Sequence, residues 1–356
     1  MTVAQTTLPD SPVSLLGEPG ARQVPAPLAT RLYQQLAIGR RFNDMANALA
    51  LQGTLAVYPS TTGQEACQVG AALALSEQDW MFPTYRDIVA VVARGVDPVE
   101  ALTLMRGDWH NGYDPVRTRV APLCTPLATH CAHAVGLAHA ARLAGDDVAV
   151  LALLGDGATS EGDFHEAMTL AGVLAAPVVF LVQNNGYAIS VPIARQCAAA
   201  SLADKGVGYG VAATQVDGND VLAVHSVVSD SLDRARAGGG PTLVEALTYR
   251  VDGHTTTDDP ARYREEAEVD EWRRRDPLML MERHLRASGI LDDTAVAEIA
   301  DVAEQRIRAW RGRLTEQTAA DPADLFRHVY AEAPPHLAAQ RAAQAEHDAS
   351  REGIGR

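Results

Sequence analysis

Lysine is almost absent from this 356-residue chain, in which Lys205 is the single example. A phosphate-binding P-loop needs a lysine within a Gly-Lys-Ser/Thr sequence, so that class of nucleotide site is excluded. A pyridoxal phosphate enzyme needs a lysine for its Schiff base, and Lys205 is a single, poorly placed candidate for that role. One residue count therefore disfavours two large classes of enzyme.

Cysteine is also sparse, with four residues at positions 67, 124, 131 and 197. No two of them form a Cys-x-x-Cys pair, so the sequence contains neither a zinc motif nor a thioredoxin motif. The N-terminus lacks the basic and then apolar pattern of a signal peptide. These features predict reduced thiols in a cytoplasmic protein.

Long apolar runs and basic patches are missing as well. No run approaches the roughly 18 apolar residues that span a bilayer. The formal net charge is −15, and the one basic cluster, at residues 273–275, has acidic neighbours. Neither a membrane nor a nucleic acid is therefore expected as a partner. A nicotinamide-binding Rossmann domain is disfavoured too, because no Gly-x-Gly-x-x-Gly sequence opens a helix after a strand.

The most informative stretch, residues 148–192, reads as strand, turn, helix, strand and turn. An unbroken apolar run over 148–154 is typical of a parallel strand buried on both faces, and residues 178–182 repeat it. A helix is predicted between them, over about 163–175. Asp156 follows the first strand and Asn185 follows the second. Open α/β sheets bind ligands at the carboxyl ends of their strands, so the two side chains should meet at one edge.

Asp156 and Asn185 offer a carboxylate and an amide carbonyl, which are oxygen ligands of the kind that Mg²⁺ binds, and the turn up to Tyr187 adds a backbone carbonyl. Mg²⁺ usually takes its remaining ligands from phosphates and water. A Mg²⁺ ion that holds a diphosphate is therefore the natural inference. The alternative from residue types alone is a pair of Asx-rich turns that only cap the strands.

Two further segments carry residues that suit an anion. In Pro83-Thr84-Tyr85-Arg86-Asp87, an arginine follows an aromatic residue at the start of a helix. A guanidinium binds phosphate bidentately, although a salt bridge between Arg86 and Asp87 is the alternative. In the loop after Tyr249, His254 is able to donate to phosphate or to shuttle protons near neutral pH. The alternative there is a surface turn rich in Thr and Asp.

Four motifs, GQEA, PTYRD, GDGATSEGDFHEA and QNNGYAIS, occur in this order. Together they resemble the α subunit of the thiamin diphosphate-dependent decarboxylase component of 2-oxo acid dehydrogenase complexes, and the run PLAT resembles its branched-chain members most. The resemblance covers about residues 30–340. It implies an α/β thiamin diphosphate-binding fold with a doubly wound, mostly parallel sheet flanked by helices. We expect a flexible arm over residues 1–27 and a single domain over 28–350, with an N-terminal helix over 30–52.

The resemblance also implies roles for individual residues. Mg²⁺ would be held by Asp156, Asn185 and the backbone of Tyr187, and the diphosphate would contact the backbone of Gly157 and Ala158. The remaining residues that it implies for cofactor binding are Tyr85, Arg86, Thr125, Leu127 and His254. His254 is also the implied catalytic residue, which assists acyl transfer to a lipoyl group. Val57 and Tyr58 fall where this family lines its substrate pocket.

Two positions invite comparison with the family's regulation and ion binding. Thr255 stands where mitochondrial relatives carry a regulatory phosphoserine. His130 replaces the more usual glutamine in a loop that binds a monovalent cation in related proteins, which puts that second metal in doubt.

The activity implied by the resemblance is oxidative decarboxylation of a 2-oxo acid with acyl transfer to a lipoyl group. In this family the glutamate that activates the cofactor comes from a separate β chain, and no place in this chain supplies one. We therefore expect an α2β2 heterotetramer docked on a lipoyl acyltransferase core. A branched-chain 2-oxo acid is the expected substrate. Pyruvate and acetoin versions remain alternatives, and so does a binding-only subunit that has lost catalysis.

The rest of the chain predicts scaffold. Two further β-units are expected, with strands over 211–216 and 241–249, and a small-residue helix over 130–144 suits close packing against a helix or partner. From residue 265 onward the sequence is charged and helical, with helices predicted over 265–287, 294–318 and 323–350.

Overall fold

The computed structural model describes residues 11–16, 24–108, 110–316, 321–327 and 329–354. Its helices are α1 (Ala26–Leu51), α2 (Glu65–Ala74), α3 (Ile88–Ala93), α4 (Pro98–Ala101), α5 (Pro115–Thr118), α6 (Thr129–Ala144), α7 (Gly162–Leu174), α8 (Asp204–Gly208), α9 (Val221–Arg234), α10 (Glu266–Arg273), α11 (Pro277–Ala287), α12 (Asp293–Glu316), α13 (Asp324–Arg327) and α14 (Pro335–Ile354). Its strands are β1 (Trp80–Phe82), β2 (Val150–Gly155), β3 (Val178–Asn184), β4 (Tyr187–Ala188), β5 (Val191–Pro192), β6 (Ala212–Asp217) and β7 (Thr242–Leu247).

Five parallel strands form the central sheet, in the order β1-β2-β3-β7-β6. The last residue of β2, Gly155, lies opposite Gln183 of β3. The residues that follow these two strands therefore emerge side by side at the carboxyl edge of the sheet. The small strands β4 and β5 form an antiparallel hairpin just beyond β3. The predicted parallel α/β sheet is confirmed.

The middle strands are buried on both faces. From β2, Leu151 and Leu153 pack in one core with α1, α2 and α9, whereas Ala152 and Leu154 pack in a second core with α6 and α7. All four side chains are inaccessible to solvent. Burial on both faces explains why the sequence is continuously apolar here rather than alternating. It also confirms the doubly wound arrangement of helices around the sheet.

Part of the predicted arm binds this chain's own sheet. The Val13 N–H donates to the Gln215 carbonyl of β6 at 3.0 Å. The Asp220 carboxylate accepts the amides of Leu15 and Leu16 at 2.6 and 2.7 Å. Residues 11–16 are therefore held at the outer edge of β6, and α1 begins at residue 26 rather than 30. The rest of the arm before residue 24 lies outside the described residues.

The C-terminal helices differ from the prediction at two prolines. A continuous helix over 265–287 is wrong, because Pro277 has no N–H and the Asp276 carboxylate instead caps the first amides of α11. The helix predicted over 323–350 is replaced by the short α13 and by α14, which starts at Pro335. α12 matches its prediction, and Trp310 on it packs edge-to-face on Phe42 of α1, with ring centroids 6.1 Å apart.

None of the helices within the described ranges combines the length and the apolar composition that crossing a bilayer requires.

Candidate functional site

A cleft of about 420 Å³ opens at the carboxyl edge of the sheet, where β2 and β3 end. Its lining comes from the turns after these strands, the start of α3 and the loop after β7. Most of the site residues predicted from the sequence line it, namely Tyr85, Arg86, Leu127, Asp156, Gly157, Ala158, Asn185, Tyr187 and His254. Residues from five separate segments of the sequence therefore come together around one space.

Three predicted residues lie outside this cleft. Thr125 and Val57 are exposed and are not part of its lining. Tyr58 is fully buried in the core with α1 and does not line this cleft, and its place in a substrate pocket stays a prediction. A tyrosine ring carries a large apolar surface, and here that surface packs in the core.

Asp156 is a buried carboxylate that forms no salt bridge with any residue that the structure describes. It is 1% exposed and begins a short 3₁₀ turn over Asp156–Ser160. Its side-chain partner is the neutral amide of Gln196, at 2.9 Å. Burial raises the pKa of Asp156, against smaller opposing contributions from Gln196, backbone amides and the charge of Arg250. Burying a carboxylate in this way is costly, and a bound cation would offset the cost.

Asn185 is oriented by its neighbours. Its Nδ2 donates to Gln64 Oε1 at 3.1 Å, and its Oδ1 accepts the Tyr187 N–H at 3.2 Å. An amide oxygen has two lone pairs, so Oδ1 keeps the capacity to bind a cation. Within the described ranges, no group of three or more His, Cys, Asp or Glu side chains is placed to hold a metal. This donor set therefore fits Mg²⁺ that shares its coordination with a phosphate ligand.

The turn after β2 presents its backbone to the cleft. At Gly157 a Cβ would lie 2.8 Å from the Ala188 Cβ of β4, so a side chain there would displace the hairpin. Ala158 is buried in the same turn. Backbone N–H groups at such a turn suit an anion, as the predicted contact with a diphosphate requires.

Two buried arginines line the cleft, Arg86 at 6% and Arg250 at 1% exposure. Neither pairs with a carboxylate within the described ranges. Arg86 donates to the carbonyls of Ser60 (2.8 Å) and His254 (2.9 Å), and Arg250 donates to the Ile189 carbonyl at 2.6 Å. Buried cations that have only neutral partners are costly, and an anion between them would offset that cost.

Arg250 and Gln64 were not among the predicted site residues. Both belong to motifs that the sequence displayed, since Gln64 starts the GQEA helix and Arg250 lies four residues before His254. The sequence signal for Arg250 is a basic residue directly after an apolar strand, at the same edge as Asp156.

His254 is held in one tautomer. Arg86 lies 3.0 Å from its Nδ1, and a guanidinium has only donors, so Nδ1 accepts and the proton is on Nε2. The Asp258 carboxylate accepts the His254 backbone N–H at 2.7 Å. Burial first, and then the charges of Arg86 and Arg250, lower the pKa of His254 to about 4. The imidazole is therefore neutral at pH 7.

In the ligand-free protein we expect His254 to titrate near pH 4. The folded pKa lies below the ordinary value of about 6.5. The unfolded chain therefore takes up this proton first, and the group lowers stability as pH falls from about 6.5 towards 4. A diphosphate between the two arginines should raise the pKa. Imidazole NMR, with His254→Gln for assignment, measures both values. A ligand-free pKa near 6.5 would contradict the geometry.

His130, the residue in the predicted cation loop, is buried behind β2. Its Nε2 lies 2.7 Å from the Leu153 carbonyl, and burial lowers its pKa, so the neutral ring donates from Nε2. The contact ties the start of α6 to β2. His130 is not part of the cleft lining.

A second cavity, of about 610 Å³, lies on the other side of β3, near the ends of β7 and β6. There Tyr249 stacks on Trp272 with ring centroids 5.4 Å apart, and Arg275 lies over Trp272 at 4.7 Å. Arg275 also pairs with Asp217 at 3.1 Å. Because its guanidinium is paired, this larger space lacks the unpaired buried charges that mark the smaller cleft as the candidate site.

Comparison with known proteins shows the family of this chain. The pattern of the dehydrogenase E1 component family matches residues 33–321, well over half of the chain. Over 338 residues the chain is 42% identical to the 3-methyl-2-oxobutanoate dehydrogenase subunit alpha of Mycobacterium tuberculosis, covering 93% of this chain and 92% of that protein. It is 37% identical over 279 residues to the 2-oxoisovalerate dehydrogenase subunit alpha of Bacillus subtilis, covering 74% of this chain and 84% of that protein. It is 34% identical over 310 residues to the pyruvate dehydrogenase E1 component subunit alpha of Staphylococcus aureus, covering 87% of this chain and 84% of that protein. The chain belongs to the dehydrogenase E1 component family.

Proposed function

We propose that this chain is the α subunit of a 2-oxo acid dehydrogenase that uses thiamin diphosphate and Mg²⁺. The observation that carries the proposal is that one cleft contains buried side chains of both charges that form no salt bridge with the described residues. Among the described residues, the buried Asp156 carboxylate forms no salt bridge, and neither do the buried guanidiniums of Arg86 and Arg250. A magnesium diphosphate supplies both partners at once.

The residues of the cleft divide into two groups for this ligand. Asp156, Asn185 and the backbone of Tyr187 would hold Mg²⁺. Arg86, Arg250 and the backbone of the turn after β2 would hold the diphosphate. The cofactor, when bound, supplies the carbanion chemistry at the 2-oxo carbon, and the chain supplies binding and orientation.

His254 is the proposed proton-donating group of this chain. Its Nδ1 is occupied by Arg86, so the available proton is the one on Nε2. That N–H is suited to donate to a phosphate oxygen and to assist acyl transfer to a lipoyl group. The Asp258 contact with the His254 backbone fixes the loop on which the ring is carried.

A partner subunit is proposed to cover the mouth of the cleft. Three apolar side chains of the lining are exposed there: Leu127 (39%), Ile189 (55%) and Val191 (41%). Apolar groups around a polar site are typical of an interface. A β subunit in an α2β2 heterotetramer, docked on a lipoyl acyltransferase core, would cover them and supply the missing carboxylate. The four free cysteines support a cytoplasmic location.

The proposed substrate is a branched-chain 2-oxo acid. This is supported by two of the similar proteins, because 3-methyl-2-oxobutanoate and 2-oxoisovalerate are two names for one branched compound. Pyruvate is the second candidate, favoured by the similarity to the pyruvate dehydrogenase subunit at 34% identity.

The test is decarboxylation and lipoyl acylation by this chain coexpressed with its β subunit, in the presence of thiamin diphosphate and Mg²⁺. We expect kcat/KM for 3-methyl-2-oxobutanoate to exceed that for pyruvate on the order of tenfold or more, because a pocket shaped for extra methyl groups discriminates to this extent. Asp156→Ala should remove turnover of both acids. A preference for pyruvate would contradict the proposed substrate. Turnover without thiamin diphosphate would contradict the proposed mechanism.

A further inference from the structure

The single lysine of the chain is bonded to the turn that begins with Asp156. Lys205 lies in α8, and its Nζ donates to the Thr159 carbonyl at 2.7 Å and to Thr159 Oγ1 at 3.0 Å. Thr159 Oγ1 in turn donates to the Asp156 carbonyl at 2.8 Å. A chain of hydrogen bonds therefore runs from α8 to the first residue of the turn.

The charge of Lys205 serves no ion pair within the described parts of the chain. Its partners are the Thr159 oxygens and the face of Phe164, whose ring centroid lies 5.9 Å from Nζ. The side chain is half-buried, and desolvation lowers the pKa of Lys205. A partly desolvated ammonium that forms no ion pair contributes little to the stability of the fold. The contacts of Lys205 with the turn are therefore the basis for its role.

Other contacts also anchor the turn, and Ala158 packs in the second core. Gln196 binds the Asp156 carboxylate at 2.9 Å, and Gly157 packs on Ala188. The second half of the turn is held internally by the Glu161 amide, which donates to the Ala158 carbonyl at 3.2 Å. In this second half of the turn, Lys205 links Thr159 to α8 by hydrogen bonds.

We propose that Lys205 is a positioning residue that presets the turn over Asp156–Ser160 for ligand binding. It holds the Asp156 carboxylate and the backbone of Gly157 and Ala158 where a magnesium diphosphate meets them. Its effect on the turn is independent of the ligand. Its effect on ligand affinity rests on the proposed function.

The first test is amide hydrogen exchange of the ligand-free protein, copurified with its β subunit. In Lys205→Met we expect the amides of residues 157–161 to exchange at least about tenfold faster than in the wild type, because the turn opens more often. Lys205→Arg should restore slow exchange. Arg234→Met is the matched control, since Arg234 also donates to backbone carbonyls and a threonine hydroxyl, at the opposite edge of the sheet. Unchanged exchange in Lys205→Met would overturn the proposal.

The second test is the affinity for thiamin diphosphate with Mg²⁺, measured by calorimetry. Lys205→Met should raise Kd about tenfold, which equals about 1.4 kcal/mol, while kcat at saturating cofactor stays within about twofold. An equal Kd in the wild type and in Lys205→Met would overturn the effect on affinity. A wild-type complex that does not bind the cofactor would overturn the proposed function instead, and the exchange experiment would still decide whether Lys205 holds the turn.

Discussion

Asp156→Asn is expected to weaken cofactor binding strongly while making the ligand-free protein more stable. The raised pKa of Asp156 means that its ionised form costs stability above that pKa, and the cost disappears as pH falls. Asparagine removes the charge but keeps the shape and an oxygen for Gln196. Affinity for magnesium thiamin diphosphate should fall by about 100-fold or more, since losing a charged partner costs about 2–5 kcal/mol. The Tm without Mg²⁺ should rise by about 2 °C at pH 7.

Calorimetric titration and thermal unfolding, each with and without Mg²⁺, check both parts of this result. The matched control is Asp79→Asn. Asp79 is equally buried but pairs with Arg236 at 2.6 Å, at the amino edge of the sheet. That variant should lower Tm and leave cofactor affinity unchanged. A lower ligand-free Tm for Asp156→Asn would show that the carboxylate is satisfied by the protein, which argues against a cation site.

Arg86→Met is expected to reduce kcat/KM by about 100- to 1,000-fold, the loss typical of removing a preorganised donor from an active site. The guanidinium links the loop before α2 to the loop of His254, through the Ser60 carbonyl and two atoms of His254. Its loss removes a cation from the cleft and frees the histidine ring. The pKa of His254 should therefore rise above about 4, because the Arg86 charge helps to lower it.

Steady-state kinetics and imidazole NMR measure these two effects in the same variant. Arg94→Met is the control, because Arg94 is a half-buried arginine that, like Arg86, donates to carbonyls, here including those of Ser76 and Asp79, away from the cleft. It should lower stability and keep kcat/KM within about twofold. Wild-type kinetics in Arg86→Met would show that Arg86 is not part of the anion site. An unchanged pKa of His254 would show that the charge of Arg86 does not affect the histidine.

The edge of the sheet that carries the site was predictable because two local rules act together. Continuous apolar runs at 148–154 and 178–182 predict parallel strands with both faces covered, and polar residues directly after such strands emerge at one edge. Asp156 and Asn185 could therefore be paired without any structure. The residues Arg86 and His254 needed the family resemblance, since their loops are far from each other in sequence.

What could not be predicted depends on packing between distant segments. Tyr58 lies beside the GQEA motif, but its burial is decided by how α1 closes over the loop. The role of Lys205 depends on α8 lying against the turn after β2, some 45 residues earlier in the chain. The break at Pro277, by contrast, follows from a local rule, since proline has no N–H to donate within a helix. The charged residues around it nevertheless predicted one continuous helix.

The short stretch that pairs Val13 with the rim of β6 has a consequence for how the protein behaves at high concentration. β6 is the last strand of the sheet, and an uncovered last strand is a template for pairing with a neighbouring molecule. Val13 pairs with part of this edge from within the same chain. Its carbonyl accepts the Asp217 N–H of β6 at 2.9 Å. Residues 11–16 thus protect the edge of β6, and removing them would expose that edge to pairing with another molecule.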